Sequence, residues 1–269
     1  MADPTRLRID LAYDGAPFAG FARQRDRVTV QGTLEAACAQ VLGIEPVSVG
    51  AGRTDRGVHA LAQVVHLDVD LDVVRDPQLL ADLADLRVRL DRLVGEAITI
   101  WAVRSVGPGF HARFAATGRG YRYRLADTAT MDPLERHHRW QVGEALAVGA
   151  MRAAARHLVG EHDFASFCRR DGDRTLVRRL DEVAVSRPRA GRVDVRLAGR
   201  SFCHQQVRSI VGCLVEVGRG RRQPDWVAAL LAARDRSVAG PVAPPHGLVL
   251  ERVTYGRRWP AAPPPEART

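Results

Sequence analysis

Short stretches in which apolar and polar residues alternate predict β-strands in several parts of the chain. Such alternation covers residues 6–13 and 97–106, and it appears on both sides of the segment Gly50–Ala60. A helical spacing of apolar residues covers 30–42, and Gly43 follows it as a helix stop. Strands and helices therefore alternate along the chain, which predicts an α/β (α+β) fold.

The same pattern occurs again in the second half of the sequence. Helical spacing returns over 143–159 and 203–217, and two antiparallel strands are predicted over 180–186 and 192–197. These elements suggest two similar α/β modules, each built on antiparallel sheet, with the cleft between them as the natural site.

A polar stretch over 127–140 is the predicted boundary between the modules. The N-terminal half is thus placed at 1–126 and the C-terminal half at 141–256. Residues 257–269 are rich in proline and are predicted to be a disordered tail.

The charge of the chain favours a polyanionic partner. The 269 residues have a formal net charge of +9 at pH 7, and every basic residue other than histidine is arginine. Without lysine, the chain has neither a Schiff-base lysine nor the lysine of a P-loop, so both classes of enzyme are excluded. Arginine binds phosphate through its planar fork and stacks on bases, which points to RNA.

The cysteines and the apolar runs predict a cytoplasmic protein. Four cysteines, at 38, 168, 203 and 213, form no C-x-x-C motif and match no zinc spacing, so free thiols are expected. The N-terminus has no apolar segment of signal-peptide length, and no run is long enough to cross a membrane.

The segment Gly50–Ala60, GAGRTDRGVHA, is the first candidate for chemistry. Asp55 follows Arg53 and precedes Arg56 at a turn between two predicted strands. Opposite charge on both sides favours the ionised carboxylate. Such an aspartate is either a structural ion pair or a nucleophile. On this segment alone the structural interpretation is favoured, because turn aspartates commonly form local hydrogen bonds.

Two further segments carry candidate side chains. In GRGYRYRL, Tyr121 and Tyr123 share one strand face. Tyr123 is favoured as a core residue, whereas Tyr121, at the start of the strand, is either a core residue or stacks on an unpaired base. In CHQQVRSIVGCLVEV, Arg208 lies at the border of an apolar helix face with His204 one turn before it. A half-buried arginine needs an anionic partner. This partner is either a protein carboxylate, for which Asp55 is one candidate, or a phosphate.

The acids Asp68, Asp70 and Asp72 in HLDVDLD resemble part of a metal loop. The glycine and the distal glutamate of an EF-hand are missing, and strand alternation places the acids on one face. Solvated acids are therefore the favoured interpretation, and a metal site is the alternative.

Six segments together resemble the tRNA pseudouridine synthase A family. They are, in order, YDGAPFAGFARQ, GRTDRGVHA, FHARF with GYRY, EHDFASF, VRSIVGCLVEVG and HGLVL. They extend from about residue 7 to 255, and six motifs in order are far more specific than one. Phe21-Ala22 stands where the family usually has Trp-Gln, and Arg56 replaces its usual small residue.

The resemblance implies a fold, an activity and partners. The fold is two related α/β halves that form a continuous, mainly antiparallel sheet flanked by helices, with a basic cleft. The activity is conversion of uridines 38, 39 and 40 in the anticodon stem-loop of tRNA to pseudouridine. Members act as homodimers, use no cofactor and no metal, and do not bind membranes.

The resemblance also implies roles for individual residues. Asp55 is similar to the catalytic nucleophile, and Arg53 to the residue that pairs with it and holds the flipped nucleotide. Tyr121 is similar to the base-stacking residue. Arg208 is similar to a second arginine paired with Asp55, and Leu248 to an apolar wall of the pocket.

Two other functions remain open at this point. The first is a non-catalytic RNA-binding protein or tRNA chaperone on the same fold. The second is a metal hydrolase built on the three acids of HLDVDLD.

Overall fold

The structure is a computed structural model, which describes residues 4–170, 172 and 175–256. The described residues divide into two compact units: residues up to 117 together with those from 250, and residues 118–249. The division after residue 117 falls before the predicted boundary at 127–140, because the strand over Gly118–Ala126 pairs along its length with another strand of the second unit. The tail predicted over 257–269 lies outside the described residues.

The first unit is built on a long central strand with helices packed beside it. Its elements are β1 (Thr5–Tyr13), α1 (Val30–Leu42), β2 (Val49–Gly50), β3 (His59–Val69), α2 (Gln78–Ala81), α3 (Leu83–Leu93) and β4 (Ile98–Val106). Strand β1 lies between β3 and β4 and is antiparallel to both, and β2 pairs with β3.

The second unit repeats the combination of antiparallel strands and helices. Its elements are β5 (Gly118–Ala126), β6 (Trp140–Gln141), α4 (Val148–Arg156), β7 (Gly160–Asp163), β8 (Val177–Arg189), β9 (Arg192–Gly199), α5 (Gln206–Gly218) and α6 (Trp226–Ala233). The strand order is β5-β9-β8-β7, antiparallel throughout, and β6 is parallel to β5.

The last strand, β10 (Leu248–Thr254), begins in the second unit and continues in the first. Strands and helices alternate in both units, and the strand pairing is mainly antiparallel. The predicted α/β class with a mainly antiparallel sheet is therefore confirmed. None of the helices formed by the described residues is long and apolar enough to cross a membrane.

Helix α1 has the predicted bounds, and Gly43 ends it in the left-handed conformation with φ 74°. Leucines recur at helical spacing over residues 79–93, and this leucine stripe would suit one continuous helix, but the structure forms two, α2 and α3. Asp82 accepts hydrogen bonds from the backbone N–H groups of Ala84 and Asp85, at 3.1 and 3.0 Å, and so caps a new helix in the middle of the leucine stripe. A side-chain cap therefore outweighs the apolar periodicity at this point.

Strand β1 is buried on both faces, although its sequence alternates like that of a half-exposed strand. Arg8 is 2% exposed and donates to Asp10 at 2.7 Å. Its guanidinium lies 5.6 Å from the ring centre of Phe110 and 5.0 Å from that of Tyr255, and Arg104 also donates to Asp10. The charge is stable in the core because it is paired and stacked.

His66 on β3 is a buried imidazole in a fixed setting. Its Nδ1 accepts the N–H of Ala112 at 3.2 Å, and the ring is 5% exposed. Burial lowers the pKa of His66 to about 4, and the positive charge of Arg6 acts in the same direction. The ring is therefore neutral in the folded protein at neutral pH.

We expect acid to destabilise the protein through His66 between pH 6.5 and pH 4. The unfolded ring takes up a proton near pH 6.5 and the folded ring only near pH 4, so protons favour the unfolded state in this window. The free energy of unfolding should fall by at most about 2 kcal/mol from this residue between pH 7 and pH 5. Urea unfolding at the two pH values measures the change.

The control for this prediction is His66→Asn, whose amide oxygen is still an acceptor for Ala112 but does not titrate. Its unfolding free energy should change less between pH 7 and pH 5 than that of the wild type. An equal change in both proteins would show that other groups cause the acid sensitivity.

Candidate functional site

The loop between β2 and β3 carries Asp55, and its backbone is held at successive points. Ala51 N–H donates to Val64 O at 2.7 Å, and the Gln63 amide donates to Gly52 O at 3.0 Å. These bonds continue the β2–β3 pairing beyond Gly50, so the chain enters the loop in one defined conformation.

Thr54 anchors the loop immediately before Asp55. Its hydroxyl lies 2.8 Å from the hydroxyl of Tyr13, and its carbonyl accepts the N–H of Phe21 at 3.1 Å. Thr54 is 8% exposed, whereas Asp55 is half-buried. The residue before the carboxylate is thus part of the core, and the carboxylate lies at its border with solvent.

A tight turn follows Asp55. Val58 N–H donates to Asp55 O at 3.1 Å, and Gly57 takes φ 76° at the third position of the turn. A positive φ at that position is typical of a type II turn and favours glycine. Arg53 and Arg56 are both exposed on this loop.

A second backbone segment lies directly against the Asp55 turn. A Cβ on Gly15 would lie 2.1 Å from Val58 O, and one on Gly20, whose φ is 118°, would lie 3.2 Å from Thr54 O. Phe21 packs its ring against Gly50, where a Cβ would be 2.5 Å away. Asp14-Gly15 is a dipeptide typical of a turn, and no sequence pattern indicated that this segment lies against the Asp55 turn.

The loop over 16–27 contains both buried rings and exposed cations. Phe18 and Phe21 are 5% and 2% exposed, so the phenylalanines pin the loop to the core. Arg23 is exposed and donates to Glu35 at 3.1 Å. The rings of this loop therefore lie in the core, and its arginines lie at the surface.

The tyrosines of β5 have different environments. Tyr121 is half-buried, and its ring meets that of Phe202 edge to face with centres 5.0 Å apart. Tyr123 is fully buried, and its hydroxyl donates to Pro244 O at 2.6 Å. Burial raises the pKa of Tyr123, so this hydroxyl is a structural donor.

Arg208 lies on the first turns of α5 and is half-buried. Its Nε donates to Ala243 O at 2.8 Å, and Ala243 N–H donates back to Arg208 O at 3.1 Å. One partner of this arginine is therefore a backbone carbonyl, and not only an anion as the sequence suggested. The two bonds fix the stem of the side chain on the segment that leads to β10.

Leu248 is the first residue of β10 and is 5% exposed. A single turn of 3₁₀ helix, Pro245–Gly247, precedes it. A Cβ on Gly247 would lie 2.7 Å from the Tyr123 ring, so this turn packs tightly over that tyrosine. The segment 243–248 thus joins Arg208, Tyr123 and Leu248 within the second unit.

The structure distributes the five predicted site residues over two groups. Arg53 and Asp55 lie on one loop of the first unit, and Tyr121, Arg208 and Leu248 lie in the second unit. In the first group, a partly exposed carboxylate sits between two exposed arginines on a rigid turn. A partly exposed carboxylate is chemically able to act as a nucleophile or to accept a proton.

The acids of HLDVDLD are engaged in local contacts. Asp68 accepts two hydrogen bonds from Arg6, at 2.6 and 2.7 Å, and this pairing lowers the pKa of Asp68. Asp70 Oδ1 accepts the N–H of Asp72 at 3.0 Å in the turn after β3. All three residues are exposed, in agreement with the favoured interpretation as solvated acids.

Comparison with known proteins extends the resemblance to most of the chain. A family model described as tRNA pseudouridine synthase matches residues 154–256. A protein of Frankia casuarinae named tRNA pseudouridine synthase A is 45% identical over 252 residues, covering 93% of this chain and 89% of that protein. A protein of the same name from Caulobacter vibrioides is 42% identical and covers 93% of this chain and 99% of its own.

A solved structure described as "Crystal Structure of a Cbf5-Nop10-Gar1 Complex" matches with a TM-score of 0.36 and 12% identity, over 79% of this chain and 45% of that one. A likeness of this size carries no argument. The two relatives named tRNA pseudouridine synthase A do support a family assignment, because identity above 40% extends over nine-tenths of the sequence. The chain therefore belongs to the tRNA pseudouridine synthase A family.

Proposed function

We propose that this protein is a tRNA pseudouridine synthase that isomerises uridines 38, 39 and 40 of the anticodon stem-loop. The observation that carries the proposal is Asp55 on its rigid turn, within a chain 45% identical to a relative named tRNA pseudouridine synthase A. The net charge of +9 suits a polyanionic substrate of this kind.

The reaction is an isomerisation, and its balance needs no further reactant. The N1–C1′ bond of uridine breaks, the base rotates, a C5–C1′ bond forms, and the proton of C5 moves to N1. Asp55 supplies the carboxylate, by attack at C1′, by attack at C6 of the base, or by removal of a proton at C2′. Each route uses a single carboxylate, so all three are compatible with one aspartate on the loop.

The glycosidic bond is inaccessible while the uridine is stacked, so the nucleotide has to leave the stem at a cost of a few kcal/mol. In this proposal Tyr121 stacks on the extruded base and offsets part of that cost. Arg53 holds the flipped nucleotide beside Asp55. Arg208 supplies a second cation to the substrate, and Leu248 supplies an apolar surface to the base.

Two further features belong to the proposal. We expect the protein to act as a homodimer, as the family resemblance implies, and sedimentation velocity measures this. We also expect it to work in the cytoplasm, where tRNA is modified. The four cysteines are free thiols, which fits that compartment.

The test is incubation of the purified protein alone with unmodified tRNA, followed by mapping of pseudouridine at each position. Pseudouridine at 38, 39 or 40 supports the proposal. Pseudouridine elsewhere would contradict the site assignment, and binding without any product would support the RNA-chaperone alternative. The metal-hydrolase alternative predicts loss of activity in chelator, whereas the proposed isomerisation predicts full activity there.

A further inference from the structure

A stack of rings runs from the core of the first unit to its surface. Phe110, fully buried, meets His66 edge to face with centres 6.2 Å apart. His66 lies 4.8 Å from His111, and His111 lies 4.4 Å from Phe114 with the planes 33° apart. The last ring, Phe114, is 74% exposed.

The outer end of this stack is held in place by hydrogen bonds. His111 Nδ1 accepts the backbone N–H groups of Arg113 and Phe114, each at 3.2 Å. Arg6 donates to the carbonyls of Pro108 and Phe110, each at 2.7 Å, and so braces the start of the same loop. These bonds hold the backbone of the loop at Phe114, and the His111 ring packs beside the Phe114 ring.

The exposure of Phe114 is unusual in this chain. Among the described residues with large exposed apolar side chains, the other nine are aliphatic. A phenylalanine side chain in this position forgoes most of the stabilisation that its burial would give. A binding role gives a physical reason for an ordered aromatic ring at the surface.

The ring is also close to positive charge. The guanidinium carbon of Arg113 lies 5.9 Å from the centre of the Phe114 ring, and both side chains are exposed. An aromatic face beside a cation suits a nucleotide, whose base stacks and whose phosphate is negative. It suits a purely apolar protein surface less well, because that surface would have to desolvate the arginine.

We propose that Phe114 is a stacking platform for one unpaired nucleobase of the RNA substrate, with Arg113 beside the adjoining phosphate. This inference rests on the proposed function, since that function supplies the RNA. The platform would position the substrate, and the chemistry at Asp55 would remain separate. Phe114 lies outside the roles that the resemblance implies.

The experiment measures affinity for a fluorescein-labelled, unmodified anticodon stem-loop RNA over a series of salt concentrations. Phe114→Leu keeps the apolar bulk but removes the ring, and Phe114→Tyr keeps the ring. Loss of one stacked base should weaken binding by about 5- to 150-fold in Phe114→Leu, and Phe114→Tyr should bind within about twofold of the wild type. The control Val47→Ala alters another exposed apolar side chain of the same unit and should leave the affinity unchanged.

The salt dependence separates stacking from charge. Phe114→Leu removes no cation, so the slope of log Kd against log salt concentration should equal that of the wild type. Equal affinity of Phe114→Leu and wild type would overturn the proposal. A change from dimer to monomer with unchanged RNA affinity per protomer would also overturn it, because the ring would then belong to a protein contact.

A measurement on the wild-type protein keeps the proposal testable if Phe114→Leu fails to fold. Anticodon stem-loop RNA carrying 5-iodouridine at its unpaired positions is irradiated with the protein, and tryptic peptides are analysed by mass spectrometry. A cross-link in the peptide that begins at Phe114 supports the platform, and cross-links confined to other peptides contradict it. If the wild type binds RNA but forms no pseudouridine, the proposed function fails while these binding results still decide the inference.

Discussion

Replacement of Asp55 by Asn is expected to lower the rate of pseudouridine formation by more than about 10³-fold, because an amide neither attacks carbon nor accepts a proton as a carboxylate does. Affinity for tRNA should stay within about threefold of the wild type, since one carboxylate contributes little to binding a polyanion. Single-turnover assays with unmodified tRNA measure the rate, and filter binding measures the affinity.

The structure indicates that Asp55→Asn keeps the loop intact. The hydrogen bonds that hold the loop use backbone groups and the side chains of Thr54 and Gln63, all of which remain in the variant. The matched control is Asp70→Asn, an exposed acid of the same unit whose Oδ1 contact the amide preserves. Activity of Asp55→Asn close to that of Asp70→Asn would contradict the role of Asp55.

The local form of the Asp55 loop could be predicted from the sequence. The contacts that hold this loop in place could not. Alternating strands on both sides, and a glycine two positions after the aspartate, indicate a strand, a tight turn and a strand. What holds the turn is distant in sequence. Gly15 approaches Val58, and Tyr13 bonds Thr54 across 41 positions. Nothing in the pattern around residues 13–21 indicates a close approach of two backbones, because a glycine there is equally explained by its own turn.

Competition between local signals explains where the observed helix bounds differ from the predicted ones. The helix predicted over 203–217 begins at Gln206, since Gln205 has φ 63° and Gln206 binds the backbone of Cys203. The helix predicted over 143–159 is observed only over Val148–Arg156, and Gly143, with φ 85°, lies outside it. Apolar periodicity locates a helix well, but the conformation of single residues at its ends decides its length.

The roles of charged and aromatic residues were the least predictable part of the site. Arg208 was expected to seek an anion, whereas one of its partners is the carbonyl of Ala243, 35 positions away. In the sequence, His66 is an ordinary strand residue. Its ring is neutral because it is buried and because its Nδ1 accepts the N–H of Ala112. Such roles depend on which segment packs against the side chain, and a sequence pattern does not specify that.

Replacement of Gly212 by Ala is expected to be the most destabilising single-methyl change in the second unit. A Cβ at this position of α5 would lie 1.8 Å from Pro241 O and 3.3 Å from Ala243 N. The helix is not free to shift, because Val211 and Cys213 on either side are fully buried. Overpacking of this kind costs about 1–3 kcal/mol, and the rigid backbone atom in contact places Gly212→Ala near the upper end. Urea unfolding monitored by circular dichroism gives the value.

The same substitution should also reduce activity, because the displaced segment carries Ala243, the partner of Arg208. The control is Gly149→Ala in α4, where a Cβ would have no neighbour within 4 Å. That change should stabilise the protein by up to about 1 kcal/mol, since alanine favours a helix over glycine, and leave the rate of pseudouridine formation unchanged. If both alanines stabilised the protein equally, the close packing of residues 241–243 on α5 would be refuted, and with it the account of how Arg208 is held.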